Sequence, residues 1–140
     1  MILLDTSGLL AAIDGSQRLH AQCAAKLGEA TGPFLLSPFV LAELDYLLGT
    51  RVSATAQDAL LGEVARGAYR LEPFDADDVA SARAIAAKYK TLNLGLADAS
   101  LVVLADRYSI RDILTLDERH FRAVRTSKGK RFRVLPTDEQ

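Results

Sequence analysis

The chain has 140 residues, 49% hydrophobic and 25% charged, which is the composition of one globular domain and not of a disordered or fibrous chain. Its one cysteine, Cys23, excludes an intramolecular disulfide, and its longest uncharged stretch, residues 30–42, spans only 13 residues and holds two prolines, too short to cross a bilayer. A formal net charge of −1 hides an asymmetry: residues 119–133 hold seven basic and no acidic residues, so the rest of the chain carries −8. A cytoplasmic protein is expected, and the basic segment fits either a polyanion partner or a solvated face.

Apolar runs and helical patterns alternate along the chain. Strands are expected at Ile2–Leu4, Phe34–Leu36, Tyr69–Phe74, Ile113–Leu116 and Phe132–Leu135. Helices are expected over Ser7–Ile13, Gln17–Glu29, Pro38–Leu48, Ala54–Ala65, Ala76–Tyr89, Leu96–Tyr108 and Glu118–Val124. Ser37 suits the N-cap of the third helix, Pro38 its first turn and Gly49 its C-cap. Short apolar strands separated by helices indicate parallel pairing with helices on both faces. The expected fold is therefore a single α/β domain over residues 1–140, an α/β/α sandwich with a central parallel sheet. In such sheets, sites form beyond the carboxyl ends of the strands.

Four acidic residues stand out against that frame. Asp5 follows the first strand and Asp117 the fourth, so both project from one edge of the sheet; each also suits the N-cap of the helix after it. Glu43 has Phe39, Val40, Tyr46 and Leu47 at helical spacing, and no basic residue within one turn. A carboxylate in an apolar stripe is costly unless paired or bound to a cation; the alternative is a glutamate at the edge of the stripe, reaching water. Asp98 shares a face with Leu101, Val102 and Ala105 near a helix start, where the macrodipole also favours it. Asp45 and Asp106 read as surface charges. Four clustered carboxylates without lysine or arginine would repel one another and persist best around a divalent cation. Oxygen donors with few histidines favour Mg²⁺ or Mn²⁺ over zinc. Such a site beside a basic flank points to phosphodiester hydrolysis. Arg119 and Arg122 are the expected grips for substrate phosphate, because Asp117 fixes the start of their helix beside the cluster.

The segments "MILLDTSGLLAAI", "SPFVLAELDYLL", "LGLADASLVVLAD" and "DILTLDERHF" occur in that order. Together they resemble the PIN-domain ribonucleases, most of all the VapC toxins of toxin–antitoxin pairs, over nearly the whole chain. The resemblance implies an acidic quartet at Asp5, Glu43, Asp98 and Asp117 around Mg²⁺ or Mn²⁺, with Thr6 and Ser7 as the hydroxyl residues after the first aspartate. It also matches Thr115 to the hydroxyl two before the last acid, on the side of the strand from which it supports Asp117. It further implies RNA cleavage to 5′-phosphate and 3′-hydroxyl ends, structured transfer or ribosomal RNA as substrate, a homodimer, and a cognate VapB-like antitoxin that covers the active site.

Other signals are weaker. His20 and Cys23 share a helix face but lack further zinc ligands; a surface histidine and a buried cysteine are expected. His120, three after Asp117, lies beside the proposed site; it fits either a contact to RNA phosphate or simple exposure, and exposure is expected. Phe39, Tyr46 and Phe74 are expected in the core. The chain shows no phosphate-binding glycine loop and no Ser–His–acid triad. Aspartate-phosphorylating folds fit poorly, because the phosphatase pattern wants an aspartate where Ser7 stands. A PIN nuclease of RNA processing and a non-catalytic module of the same fold remain the alternatives.

Overall fold

The structure, a computed structural model, describes residues 1–139. The chain runs β1 (Ile2–Leu4), α1 (Thr6–Ile13), α2 (His20–Glu29), β2 (Phe34–Leu36), α3 (Pro38–Arg51), α4 (Ala54–Ala65), β3 (Arg70–Leu71), α5 (Ala76–Lys88), α6 (Leu96–Tyr108), β4 (Asp112–Leu114), α7 (Glu118–Ala123) and β5 (Arg133–Leu135). The five strands form one parallel sheet in the order β3-β2-β1-β4-β5. The expected α/β architecture, a parallel sheet flanked by helices, is what the chain adopts. Leu3, Leu4, Leu35, Leu36, Ile113, Leu114, Val134 and Leu135 are fully buried, as strands covered on both faces must be.

This order places a topological switch at β1. The chain steps from β1 outward to β2 and β3, then returns to the other side of β1 for β4 and β5. The crevice at the carboxyl ends of β1 and β4 is where such sheets bind ligands. Gly8 lets α1 close over that crevice: a Cβ there would lie 2.3 Å from the Leu114 carbonyl oxygen. The Asp5 N–H donates to the same carbonyl at 3.0 Å, so the start of α1 abuts the end of β4.

Several element ends differ from expectation for local reasons. α2 begins at His20, because Leu19 takes a left-handed conformation (φ 60°) after a turn in which Asp14 accepts from Ser16 and Gln17. Ser37 caps α3 through the Phe39 N–H, but the helix continues past Gly49 to Arg51. Gly49 instead allows close packing of α4: a Cβ there would meet the Gln57 side chain at 2.9 Å. β3 shrinks to Arg70–Leu71, both exposed at the sheet edge, and Pro73 has no N–H to extend the ladder. β4 stops at Leu114, and β5 starts at Arg133. Phe39 and Phe74 pack edge to face at 5.1 Å, whereas Tyr46, expected in the core, is 67% exposed on the outer face of α3.

Candidate active site

Asp5 leaves the end of β1 in extended backbone geometry at the N-cap of α1, yet its carboxylate makes no capping bond. Its Oδ2 instead accepts from the Thr115 hydroxyl at 2.6 Å and the Ser7 hydroxyl at 3.2 Å. Those two hydroxyls in turn accept backbone N–H groups, Ser7 from Leu116 at 2.9 Å and Thr115 from Asp117 at 2.9 Å. Backbone amides beyond β4 thus polarise two hydroxyls toward one buried carboxylate. Thr115 holds the backbone of Asp117 and the side chain of Asp5, rather than the Asp117 side chain. The Asp5 carboxyl is raised to about 7, mainly by burial and further by the nearby charge of Asp98, with the Thr115 hydrogen bond opposing both.

Asp98 stands in the first turn of α6 and is the electrostatic hub of the site. Burial raises its carboxyl above the usual range; His120 opposes this, and the charges of Asp117 and Glu43 add to it. Asp98 thus feels Asp117 and Glu43, and its own charge in turn raises Asp5. Asp117 combines both roles open to it: Oδ1 caps α7 by accepting the His120 N–H at 3.2 Å, while Oδ2 lies 3.0 Å from His120 Nδ1. Glu43 departs from the apolar-stripe expectation. The buried stripe of α3 is Val40, Leu44 and Leu48, one position round the helix, and Glu43 is exposed. It faces a cleft of about 420 Å³ lined also by Asp5, Asp98 and Asp117. The structure therefore brings the four acids together, with Glu43 on an open wall.

The remaining expected residues separate. Thr6 lines the cleft with a buried hydroxyl that has no hydrogen-bond partner. Arg119 and Arg122 do not line it. Arg122 makes two 2.7 Å contacts to Asp138 and one of 3.0 Å to Glu118, and Arg119 is exposed beside His120. Asp45, expected at the surface, is half-buried with Oδ1 unpartnered.

His120 departs from the exposure expected of it, and Arg51 was not anticipated. His120 is largely shielded rather than exposed, its side chain 12% accessible. Its Nδ1 is within hydrogen-bond distance of Asp98 Oδ2 at 2.9 Å and lies 3.0 Å from Asp117 Oδ2, so the ring sits between two carboxylates. Its Nε2 lies 3.0 Å from the Leu92 carbonyl. The spacing of three from Asp117 on a short helix is the sequence signal for this placement. Arg51 lines the cleft two turns beyond Glu43, outside the one-turn neighbourhood that sequence spacing considers. Outside the cleft, buried Glu72 accepts from Arg70, Arg107 and Tyr108; burial pushes its carboxyl up, but these donors outweigh it and hold it below its ordinary value.

The donor set suits a hard divalent cation. It is rich in carboxylate oxygen, contains no thiolate, and leaves Asp5 buried with hydroxyl partners but no cationic one. One oxygen from each of Asp98 and Asp117 and one His120 nitrogen lie within 4.8 Å of one another.

Comparison with known proteins agrees with this geometry. The PIN domain family model matches residues 2–126. Over 135 residues the chain is 45% identical to Ribonuclease VapC26 of Mycobacterium tuberculosis (strain ATCC 25618 / H37Rv), covering 96% of this chain and 100% of that protein. Its fold is similar to the crystal structure of Mycobacterium tuberculosis VapC20, described as a sarcin-ricin loop cleaving toxin, with a TM-score of 0.78 at 20% identity over 84% of this chain and 90% of that one. FitAcB from Neisseria gonorrhoeae is similar in fold at a TM-score of 0.58 and 22% identity, over 78% of this chain and 83% of that one. A parallel sheet with four carboxylates gathered at its switch point, together with these matches, means that the chain belongs to the PIN-domain family.

Proposed function

We propose that this protein is a metal-dependent endoribonuclease acting as the toxin of a VapBC-type toxin–antitoxin pair. The observation that carries the reading is the convergence of Asp5, Glu43, Asp98 and Asp117 in one cleft, with Asp5 buried and lacking a cationic partner. Its relative VapC26 is named a ribonuclease, which supports RNA as the substrate. The quartet holds Mg²⁺ or Mn²⁺, which when bound neutralises phosphate charge and lowers the pKa of an attacking water. Ser7 and Thr115 fix the orientation of Asp5, and His120 spaces Asp98 from Asp117. Hydrolysis leaves 5′-phosphate and 3′-hydroxyl ends. Structured transfer or ribosomal RNA is the proposed target. A VapB-like antitoxin and a second copy of the chain are the proposed partners. No helix among the described residues is long and apolar enough to cross a membrane.

The test is to incubate the purified protein with total cellular RNA and Mg²⁺, Mn²⁺ or a chelator, and to map the new RNA ends. Cleavage at defined positions that requires the cation supports the reading; intact RNA under all conditions rejects it in favour of a non-catalytic module. Growth arrest on expression, relieved by the product of a neighbouring short gene, separates a toxin from an RNA-processing nuclease.

A further inference from the structure

The acidic cleft must take up a polyanion, so the position of its positive charge decides how the strand lies. Among the described residues lining the cleft, Arg51 is the one lysine or arginine. It is exposed and makes no ion pair with any described residue. Glu43, Leu47 and Arg51 follow one another at intervals of four along α3, so they lie along one face of it. Eight residues of helix separate Arg51 from Glu43 by about 12 Å along the axis. Arg51 therefore starts from the far end of the same wall as Glu43.

The basic segment is placed differently. Arg122 is occupied by Asp138 and Glu118, Arg133 by Asp112 and Glu139, and none of residues 119–133 lines the cleft. Arg51 also sits in the last turn of α3, where a cation interacts favourably with the helix macrodipole. That role needs no particular wall of the helix, whereas the Glu43–Leu47–Arg51 line faces the cleft.

Building on the ribonuclease reading, we infer that Arg51 grips a phosphate of the RNA strand next to the scissile one, setting the direction of the strand along α3. A planar guanidinium suits bidentate phosphate contact. It is a substrate-binding residue and does not hold the cation.

The experiment measures binding of a labelled single-stranded RNA of mixed sequence across a salt series, in an Asp98→Asn background with Mg²⁺ present. Arg51→Ala is expected to weaken binding about tenfold at low salt and to flatten the log–log salt slope by about 0.7, the value for one lost phosphate contact on a single strand. Arg51→Lys should restore most of the slope, and Arg51→Gln should behave as alanine. In the otherwise unmodified protein, the Mn²⁺-induced rise in Tm should survive Arg51→Ala, since the cation site is untouched. Unchanged affinity and slope in Arg51→Ala would overturn the assignment and leave the guanidinium to the helix terminus or to an acidic protein partner. That outcome leaves the ribonuclease reading standing, because that reading rests on cleavage by the unmodified protein. RNA left intact by the parent protein with Mg²⁺ and with Mn²⁺ would overturn both.

Discussion

The Thr115 hydroxyl donates to Asp5 Oδ2 at 2.6 Å across 110 residues of sequence while accepting the Asp117 N–H at 2.9 Å. One side chain thus ties together the exits of β1 and β4, from which two of the four acids emerge. Removing this donor leaves a buried carboxylate with a weaker partner. Thr115→Val is expected to lower cation affinity and cleavage by about tenfold or more, the usual effect of losing a hydrogen bond behind a metal ligand. Thr115→Ser should retain most of both. Mn²⁺ titration followed by fluorescence or calorimetry, alongside initial cleavage rates, checks this.

Asp98 feels the charges of Asp117 and Glu43 and raises Asp5 by its own, so its removal has opposite effects on chemistry and on folding. Asp98→Asn is expected to abolish cleavage and to raise Tm in chelator, because repulsion falls. Mg²⁺ or Mn²⁺ should raise the Tm of the unmodified protein by binding the folded state. The combined variant Asp5→Asn/Glu43→Gln should lose that rise. A full Mn²⁺ shift in the combined variant would place the cation elsewhere.

Asp5 also predicts a pH dependence. Its carboxyl is raised to about 7 from 3.8, so the folded protein holds a proton there that the unfolded chain has released. Where the folded state binds more protons, stability falls as pH rises. In chelator, Tm should therefore decline between about pH 4 and pH 7 through this group, with its contribution greatest below 3.8. Glu72 and Asp138 act oppositely: their carboxyls are lowered, and they destabilise only as pH falls through those lowered values. Asp5→Asn should flatten the decline above pH 5, measured as the difference in Tm between variant and parent across the series.

Gly8 tests the closeness of α1 to β4. A methyl group there meets backbone, not a movable side chain, so the helix must shift. Gly8→Ala is expected to destabilise by about 2–3 kcal/mol through overpacking. It should also displace Ser7 from Thr115 and Asp5, lowering cleavage more than the loss of folded protein explains. Urea unfolding and activity per folded molecule separate the two effects.

Arg119 and Arg122 are expected to differ despite their proximity. The Arg122 guanidinium is held by Asp138 and Glu118, all three side chains being partly exposed. Arg122→Ala should cost about 1 kcal/mol or less and leave RNA affinity unchanged. Arg119, exposed and outside those pairs, is the one of the two that can reach phosphate. Any loss of affinity in Arg119→Ala/Arg122→Ala should reappear in Arg119→Ala alone, measured as binding against salt.

The α/β order and the places of Asp5 and Asp98 were legible in the sequence because their causes are local. An apolar triplet ending in Asp5, a Ser37–Pro38 helix start and the first-turn position of Asp98 are set by residues within a few positions of one another. Tertiary structure decided what depends on distant segments. The orientation of α3 against the core left Glu43 on an open wall and buried Val40, Leu44 and Leu48 instead. The meeting of α6 and α7 drew His120 between Asp98 and Asp117. Packing of the chain end against α7 gave Arg122 to Asp138, and the length of α3 carried Arg51 into the cleft. A helical period specifies which residues share a face, but which face meets the core, and which charge finds a partner, is decided by contacts that close only when the whole sheet has formed.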